Sequence, residues 1–137
     1  MIVVDASVAV QWIAREDTSD ISDTLLMRSD LTAPDLMLIE VANALRRKAY
    51  AGDLSIDQAK AGLQFIRDKV RLEHLAPAIL DRALELAELM YHPVYDCIYL
   101  AMAEASTSLL VTYDEELKER AVDHGLGALL AELPLAS

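Results

Sequence analysis

Four carboxylates stand where carboxylates are expensive. Asp5 directly follows Ile2-Val3-Val4, and Glu40 is the only charge between Leu36 and Leu45. Asp96 lies between Val94-Tyr95 and the apolar run Cys97–Ala103, and Asp114 follows Leu109-Leu110-Val111-Thr112-Tyr113. An ionised carboxylate in such company is costly unless it is paired, hydrogen-bonded or bound to a metal. Three of the four have an alternative explanation, because Asp5, Asp96 and Asp114 each stand where they can cap a following helix. Glu40 has none. It falls mid-helix, and the nearest basic side chains, Arg46 and Arg47, follow six and seven residues on, about two turns away. Other acids, such as Glu85 and Glu88 or Glu115, Glu116 and Glu119, read as solvated helix faces.

Acids that converge without a cation repel one another, so the economical partner for four of them is a divalent metal, Mg²⁺ or Mn²⁺. Rival carboxylate chemistries fit worse. A phosphoaspartate phosphatase wants a second Asp two residues after the first, where Ser7 stands. A receiver domain wants an acidic pair after its first strand, and a di-iron bundle wants Glu-x-x-His pairs; neither pattern occurs. With glycines only at positions 52, 62, 125 and 127, no P-loop or dinucleotide-binding glycine pattern is possible.

The acids need a scaffold that brings them together. The 137 residues suit one domain, expected over 1–137, and the 54% hydrophobic content supplies its core. Ile2-Val3-Val4 has the form of a buried strand, and Ser7 can cap a helix carrying Val8, Ala9, Trp12 and Ile13. The polar stretch 15–30, with Leu25-Leu26-Met27 as its apolar anchor, is expected to form a second helix. Thr32-Ala33-Pro34 leads into a strong helix over Leu36–Tyr50, stopped by Gly52. Ser55, with Gln58 as capping-box partner, opens another helix to Lys69.

Val70–Leu75 alternates as a strand, and Pro77–Met90 is helical until His92-Pro93 breaks it. A helix over Tyr95–Ala105, a strand at Leu109–Val111, a helix over Glu115–His124 and a weak last strand at Ala128–Leu130 follow. Short apolar strands alternating with helices indicate an α/β fold, a parallel sheet covered on both faces. In such a sheet, residues just past the strand C-termini share one edge, where ligands bind, and Asp5 and Asp114 both occupy that position.

These residues carry a resemblance. Asp5-Ala-Ser-Val, Glu40-Val-Ala-Asn-Ala-Leu, His92-Pro-Val-Tyr-Asp96-Cys-Ile-Tyr-Leu-Ala and Val111-Thr-Tyr-Asp114 match, in order and spacing, the PIN-domain family. Within it the chain resembles the VapC toxins of toxin–antitoxin pairs. The resemblance implies a three-layer fold with a central parallel sheet of order 3-2-1-4-5, a homodimer, Mg²⁺-dependent RNA cleavage and inhibition by a cognate antitoxin. It puts Asp5, Glu40, Asp96 and Asp114 on the family's acidic quartet and Ser7 and Thr112 on its small hydroxyl positions. Tyr113 is bulkier than the residue usual between that Thr and Asp.

Phosphodiester hydrolysis needs an activated water, a shielded phosphate and a stabilised leaving oxygen, all of which metal ions provide. Asp5 and Asp96 are expected to ligate the main ion directly, with Glu40 and Asp114 acting through bound waters or holding a second ion. Ser7, Thr112 and Asn43, which lies one turn after Glu40, are candidates for fixing carboxylate orientation. A PIN-like scaffold that binds RNA or protein without catalysis is the other reading, but it has no need of four costly carboxylates.

Charge is distributed unevenly. The chain holds 12 basic and 23 acidic residues, a net −11, which argues against a generic nucleic-acid coat. Yet residues 46–71 carry seven basic side chains against three acidic ones, a local +4 that leaves −15 elsewhere. Arg46, Arg47, Lys48, Arg67 and Lys69 are the candidates for RNA contact beside an acidic metal site. An acidic pocket that must be silenced invites Arg or Lys from a small antitoxin, laid along the helix near Leu36–Leu45. The lone Cys97 forms no internal disulfide, and Met1-Ile2-Val3-Val4-Asp5 lacks the basic region of a signal peptide. A cytoplasmic protein without a membrane span is expected. Cys97 itself is expected to be a buried small side chain, and His92 to close a helix rather than serve the chemistry.

Overall fold

A computed structural model describes residues 1–135; the last two positions of the expected domain, Ala136 and Ser137, lie outside the described residues. β1 (Ile2–Val4) is buried throughout, as its β-branched side chains require. It pairs in parallel with β2 (Leu31–Pro34) on one side and β4 (Leu109–Val111) on the other, and β2 pairs in parallel with β3 (Arg71–Glu73). The order is β3-β2-β1-β4. The register sets Val4 opposite Val111, so that Asp5 and Thr112 leave the sheet side by side.

The fifth strand expected at Ala128–Leu130 shrinks to a single contact. Gly127–Leu129 winds into a 3-10 turn, and only Leu130 bridges to Leu110, with the Ala131 N–H donating to the Leu110 carbonyl at 2.9 Å. Pro134, which has no N–H to donate, follows too soon for a ladder to grow. That contact nonetheless sits beside β4, where the expected order places it.

The helices flank this sheet. α1 (Ala6–Ala9) runs into a 3-10 turn over Val10–Trp12. The helix expected across 15–30 is instead a short α2 (Ser19–Asp23) continued by a 3-10 turn over Thr24–Met27. Hydroxyls explain the difference, since they compete for backbone partners: Ser19 Oγ accepts the Glu16 N–H at 2.8 Å and Ser22 Oγ donates to the Thr18 carbonyl at 3.2 Å. α3 (Leu36–Tyr50) and α4 (Ile56–Lys69) form a hairpin. Gly52 turns it with a positive φ of 88°, and both bonds of the Ser55–Gln58 capping box are present, at 2.7 and 3.0 Å.

α5 (Pro77–Met90) packs on α6 (Val94–Ala105), and α7 (Glu115–Asp123) follows β4. α6 buries Cys97, Ile98, Tyr99, Leu100, Ala101 and Ala103 and lies against β1, β2 and β4. It is this burial that carries Asp96, in its first turn, to the sheet's edge. Among the described residues no helix is long and apolar enough to cross a membrane.

Candidate functional site

The four acids meet at the C-terminal edge of the sheet. Asp5 follows β1 directly, and its own N–H donates to the Val111 carbonyl at 3.1 Å, tying it to the end of β4. It holds the N-cap position of α1, but its side chain makes no capping bond. Instead its Oδ2 accepts from Thr112 Oγ1 at 2.6 Å and from Ser7 Oγ at 2.8 Å. Both hydroxyl oxygens are themselves acceptors: Thr112 takes the Asp114 N–H and Ser7 the Tyr113 N–H, each at 3.0 Å. Each hydroxyl proton is therefore committed to Asp5. Ser7, expected as a helix cap, lies inside α1 and serves this network because Asp5 has already taken the N-cap position.

Asp114 does cap. Its Oδ1 accepts the Leu117 N–H at 3.1 Å, while Oδ2 faces the pocket 3.7 Å from His92 Nε2. Asp96 lies in the first turn of α6 rather than at its cap, and its Oδ2 accepts from His92 Nε2 at 2.8 Å. Glu40, in the second turn of α3, accepts from the Tyr99 hydroxyl at 2.5 Å. The missing partner of that mid-helix acid is thus a phenol from α6. Among the described residues, no Lys or Arg pairs with any of the four acids.

Electrostatics follow from this crowding. Asp5 is only 6% exposed, and burial raises its carboxyl above the ordinary range despite the two hydroxyl donors, with Asp114 adding to the rise. Burial likewise pushes Glu40 up to about 6, opposed by the Tyr99 hydroxyl and reinforced by Asp5 and Asp96. Asp96 is raised by burial, against the His92 bond, with Asp114 and Asp5 adding to it. The Tyr99 hydroxyl is pushed up by burial and by Asp5 and Glu40, so it remains a donor.

The donor set suits a divalent cation. Oxygens of Asp96 and Asp114 lie within 4.8 Å of each other and of a ring nitrogen of His92. Asp5 stands close enough to raise Asp96, and Asp5 and Asp96 close enough to raise Glu40. Oxygen-rich, unneutralised sites of this kind suit Mg²⁺ or Mn²⁺.

His92 and Tyr99 are the members that sequence reasoning missed. His92 does close α5 as expected: Tyr91 turns left-handed at φ 55°, and the His92 N–H donates to the Ala87 carbonyl at 3.1 Å. The same turn drives its ring into the acid cluster. The four-residue separation of His92 and Asp96 was a visible signal, but Pro93 between them argues against one continuous helix.

Other candidates fall elsewhere. Asn43 is exposed and, among the described residues, bonds none of the acids. Arg46, Arg47 and Arg67 are exposed on the α3–α4 hairpin, whereas Lys48 is drawn to Glu16 at 3.0 Å. Lys69 donates to the Arg28 carbonyl at 2.6 Å, at the opposite edge of the sheet from the acids. Cys97 is buried, its thiol pushed up to about 11. The phenol of Tyr113 reaches away from the pocket to Ser22 Oγ at 2.9 Å.

Known proteins resemble this chain in sequence and fold. The PIN domain profile matches residues 2–123. Ribonuclease VapC3 of Pyrobaculum aerophilum is 32% identical over 122 residues, spanning 87% of this chain and 93% of that protein. A crystal structure from the same organism superimposes with a TM-score of 0.71 at 28% identity, covering 87% of this chain and 83% of that one. A toxin–antitoxin complex from Klebsiella pneumoniae contains a chain with a TM-score of 0.66 at 13% identity, a likeness of fold alone, covering 83% of this chain and 87% of that one.

Proposed function

The chain belongs to the PIN domain family, with VapC ribonucleases among its relatives, and on that premise we propose that it is a Mg²⁺- or Mn²⁺-dependent endoribonuclease toxin. The observation that carries this is the convergence of Asp5, Glu40, Asp96 and Asp114 at one sheet edge with, among the described residues, no Lys or Arg to neutralise them. A purely structural role gives no reason to hold buried carboxyls in that state.

Asp5 and Asp96 would hold the ion, with Glu40 and Asp114 reaching it through waters or sharing a second one. When bound, the cation shields the phosphate and acidifies a bound water. The chain's own residues do the rest. Thr112 and Ser7 fix the plane of the Asp5 carboxylate, and Tyr99 occupies one oxygen of Glu40. That leaves Glu40 Oε2 to accept a proton from the attacking water. The exposed Arg46, Arg47 and Arg67 extend a positive surface for the RNA backbone.

Neutralisation belongs to the same reading: a small antitoxin lays an apolar segment along α3, where Ile39 is exposed, and inserts Arg or Lys among the acids. So do a homodimer, for which the exposed Leu80, Leu84, Leu89 and Tyr95 offer apolar area, a cytoplasmic setting, and a single domain over 1–137. Incubating the purified chain with structured RNA and Mg²⁺ or Mn²⁺ tests the enzyme. Cleavage that disappears in chelator and in Asp5→Asn is expected. No cleavage, or an Asp5→Asn variant as active as wild type, would favour a non-catalytic scaffold. Solution mass tests the dimer, and relief of toxicity by a co-expressed antitoxin tests the partner.

A further inference from the structure

We propose that His92 is a positioning residue of the acid cluster, a hydrogen-bond donor that aims Asp96, and that it is not itself a metal ligand. The proposal rests on the metal-dependent reading above. The His92 side chain is 3% exposed, and its Nε2 stands 2.8 Å from Asp96 Oδ2 and 3.7 Å from Asp114 Oδ2. Two arrangements place an imidazole there: a ring that donates an N–H to the carboxylates, or a ring whose Nε2 lone pair joins them on a cation.

The other nitrogen decides between them. Among the described residues, His92 Nδ1 is buried with no hydrogen-bond partner. A ring that ligates through Nε2 must carry its proton on Nδ1, and metal-bound imidazoles nearly always give that proton to an acceptor. Here it would be a buried donor with nothing to receive it. With the proton on Nε2, that proton points at Asp96 Oδ2, and no buried donor is stranded at Nδ1. One oxygen of Asp96 is thereby occupied, and the carboxylate's rotation about its own axis is fixed with Oδ1 free.

The backbone holds the ring in that place. Tyr91 adopts the left-handed conformation, the His92 N–H is bonded to Ala87, and Pro93 starts α6 immediately afterwards. His92 therefore joins the end of α5 to the acid at the start of α6. Asp96 is aimed by the turn between two helices as well as by its own helix.

The test uses the whole chain, with Mn²⁺ as probe and three measurements. The ¹⁵N spectrum of the wild-type His92 ring should show a proton on Nε2 in chelator, and Mg²⁺ should leave that proton in place. Mn²⁺ affinity, read from the electron spin resonance of free ion, should weaken about tenfold or more in His92→Phe. His92→Gln, whose amide nitrogen can stand near Nε2, should recover most of it. Melting in chelator checks that both variants fold.

An Nε2 that carries no proton with Mg²⁺ bound, or Mn²⁺ spin-echo spectra with a directly coordinated nitrogen, would overturn the proposal and make His92 a ligand. Unchanged Mn²⁺ affinity in His92→Phe, or a His92→Gln as weak as His92→Phe, would also overturn it. Failure of the ribonuclease reading looks different: RNA stays intact in wild type while Mn²⁺ affinity still falls in His92→Phe.

Discussion

Replacing Glu40 by Gln removes one ionisable group from the cluster while keeping its shape and an acceptor for the Tyr99 hydroxyl. In the folded protein this carboxyl titrates at about 6, against 4.5 for its ordinary value. Between those values the native state holds a proton that the unfolded chain has released. Native stability therefore falls as pH rises through the window, and the group contributes nothing below it. At full value the difference is about 2 kcal/mol. Glu40 is only partly buried, so solvent screening reduces this to about 1 kcal/mol, or roughly 3 °C in Tm for a chain of this size. In chelator near neutral pH, Glu40→Gln is expected to melt higher than wild type by that amount. The gain should vanish in buffer of about pH 4. Adding Mn²⁺ should reverse the ranking, because a ligand that binds only the folded form stabilises it and the variant has lost a group that holds it. The assay is thermal unfolding followed by circular dichroism across pH, with and without Mn²⁺. A variant that melts lower than wild type in chelator, or whose gain persists unchanged into acid, would refute the reasoning. Glu40 would then be stabilised by its surroundings rather than strained by them.

Three further outcomes are expected. Thr112→Val removes the donor to Asp5 and the acceptor of the Asp114 N–H, two interior bonds, and should cost about 2 kcal/mol in chemical denaturation, while Thr112→Ser stays near wild type. A Cβ at Gly62 would stand 2.5 Å from Ile13 Cγ2, so Gly62→Ala should destabilise by about 1 kcal/mol or more, and adding Ile13→Ala should restore most of the loss. Charge reversal of Arg46 and Arg47 to Glu should weaken RNA binding and flatten its dependence on salt, measured by fluorescence anisotropy, with little change in Tm because both side chains are exposed.

Much of this was legible in the chain itself. Apolar runs such as Ile2–Val4 and Leu109–Val111 became buried strands, and the Ser55–Gln58 pair became the capping box its spacing implies. The four acids stood out because each interrupts apolar sequence, and burial is what raises three of them. Local hydrogen bonding and side-chain periodicity act over a few residues, so a few residues suffice to read them. Where several local answers were equally available, the tertiary structure chose. Asp5 and Asp114 were both plausible caps, yet only Asp114 caps, because β1–β4 pairing brings Thr112 to Asp5 from 107 residues away. Tyr99 reaches Glu40 across 59 residues once α6 is pressed onto the sheet, and His92 enters the cluster through a left-handed turn that no periodicity announces. The fifth strand dwindled to one bridge because a 3-10 turn competes for the same few residues. Contacts between distant segments depend on register and on how helices seat against the sheet. Those are properties of the packed whole, set when many weak apolar contacts are satisfied together.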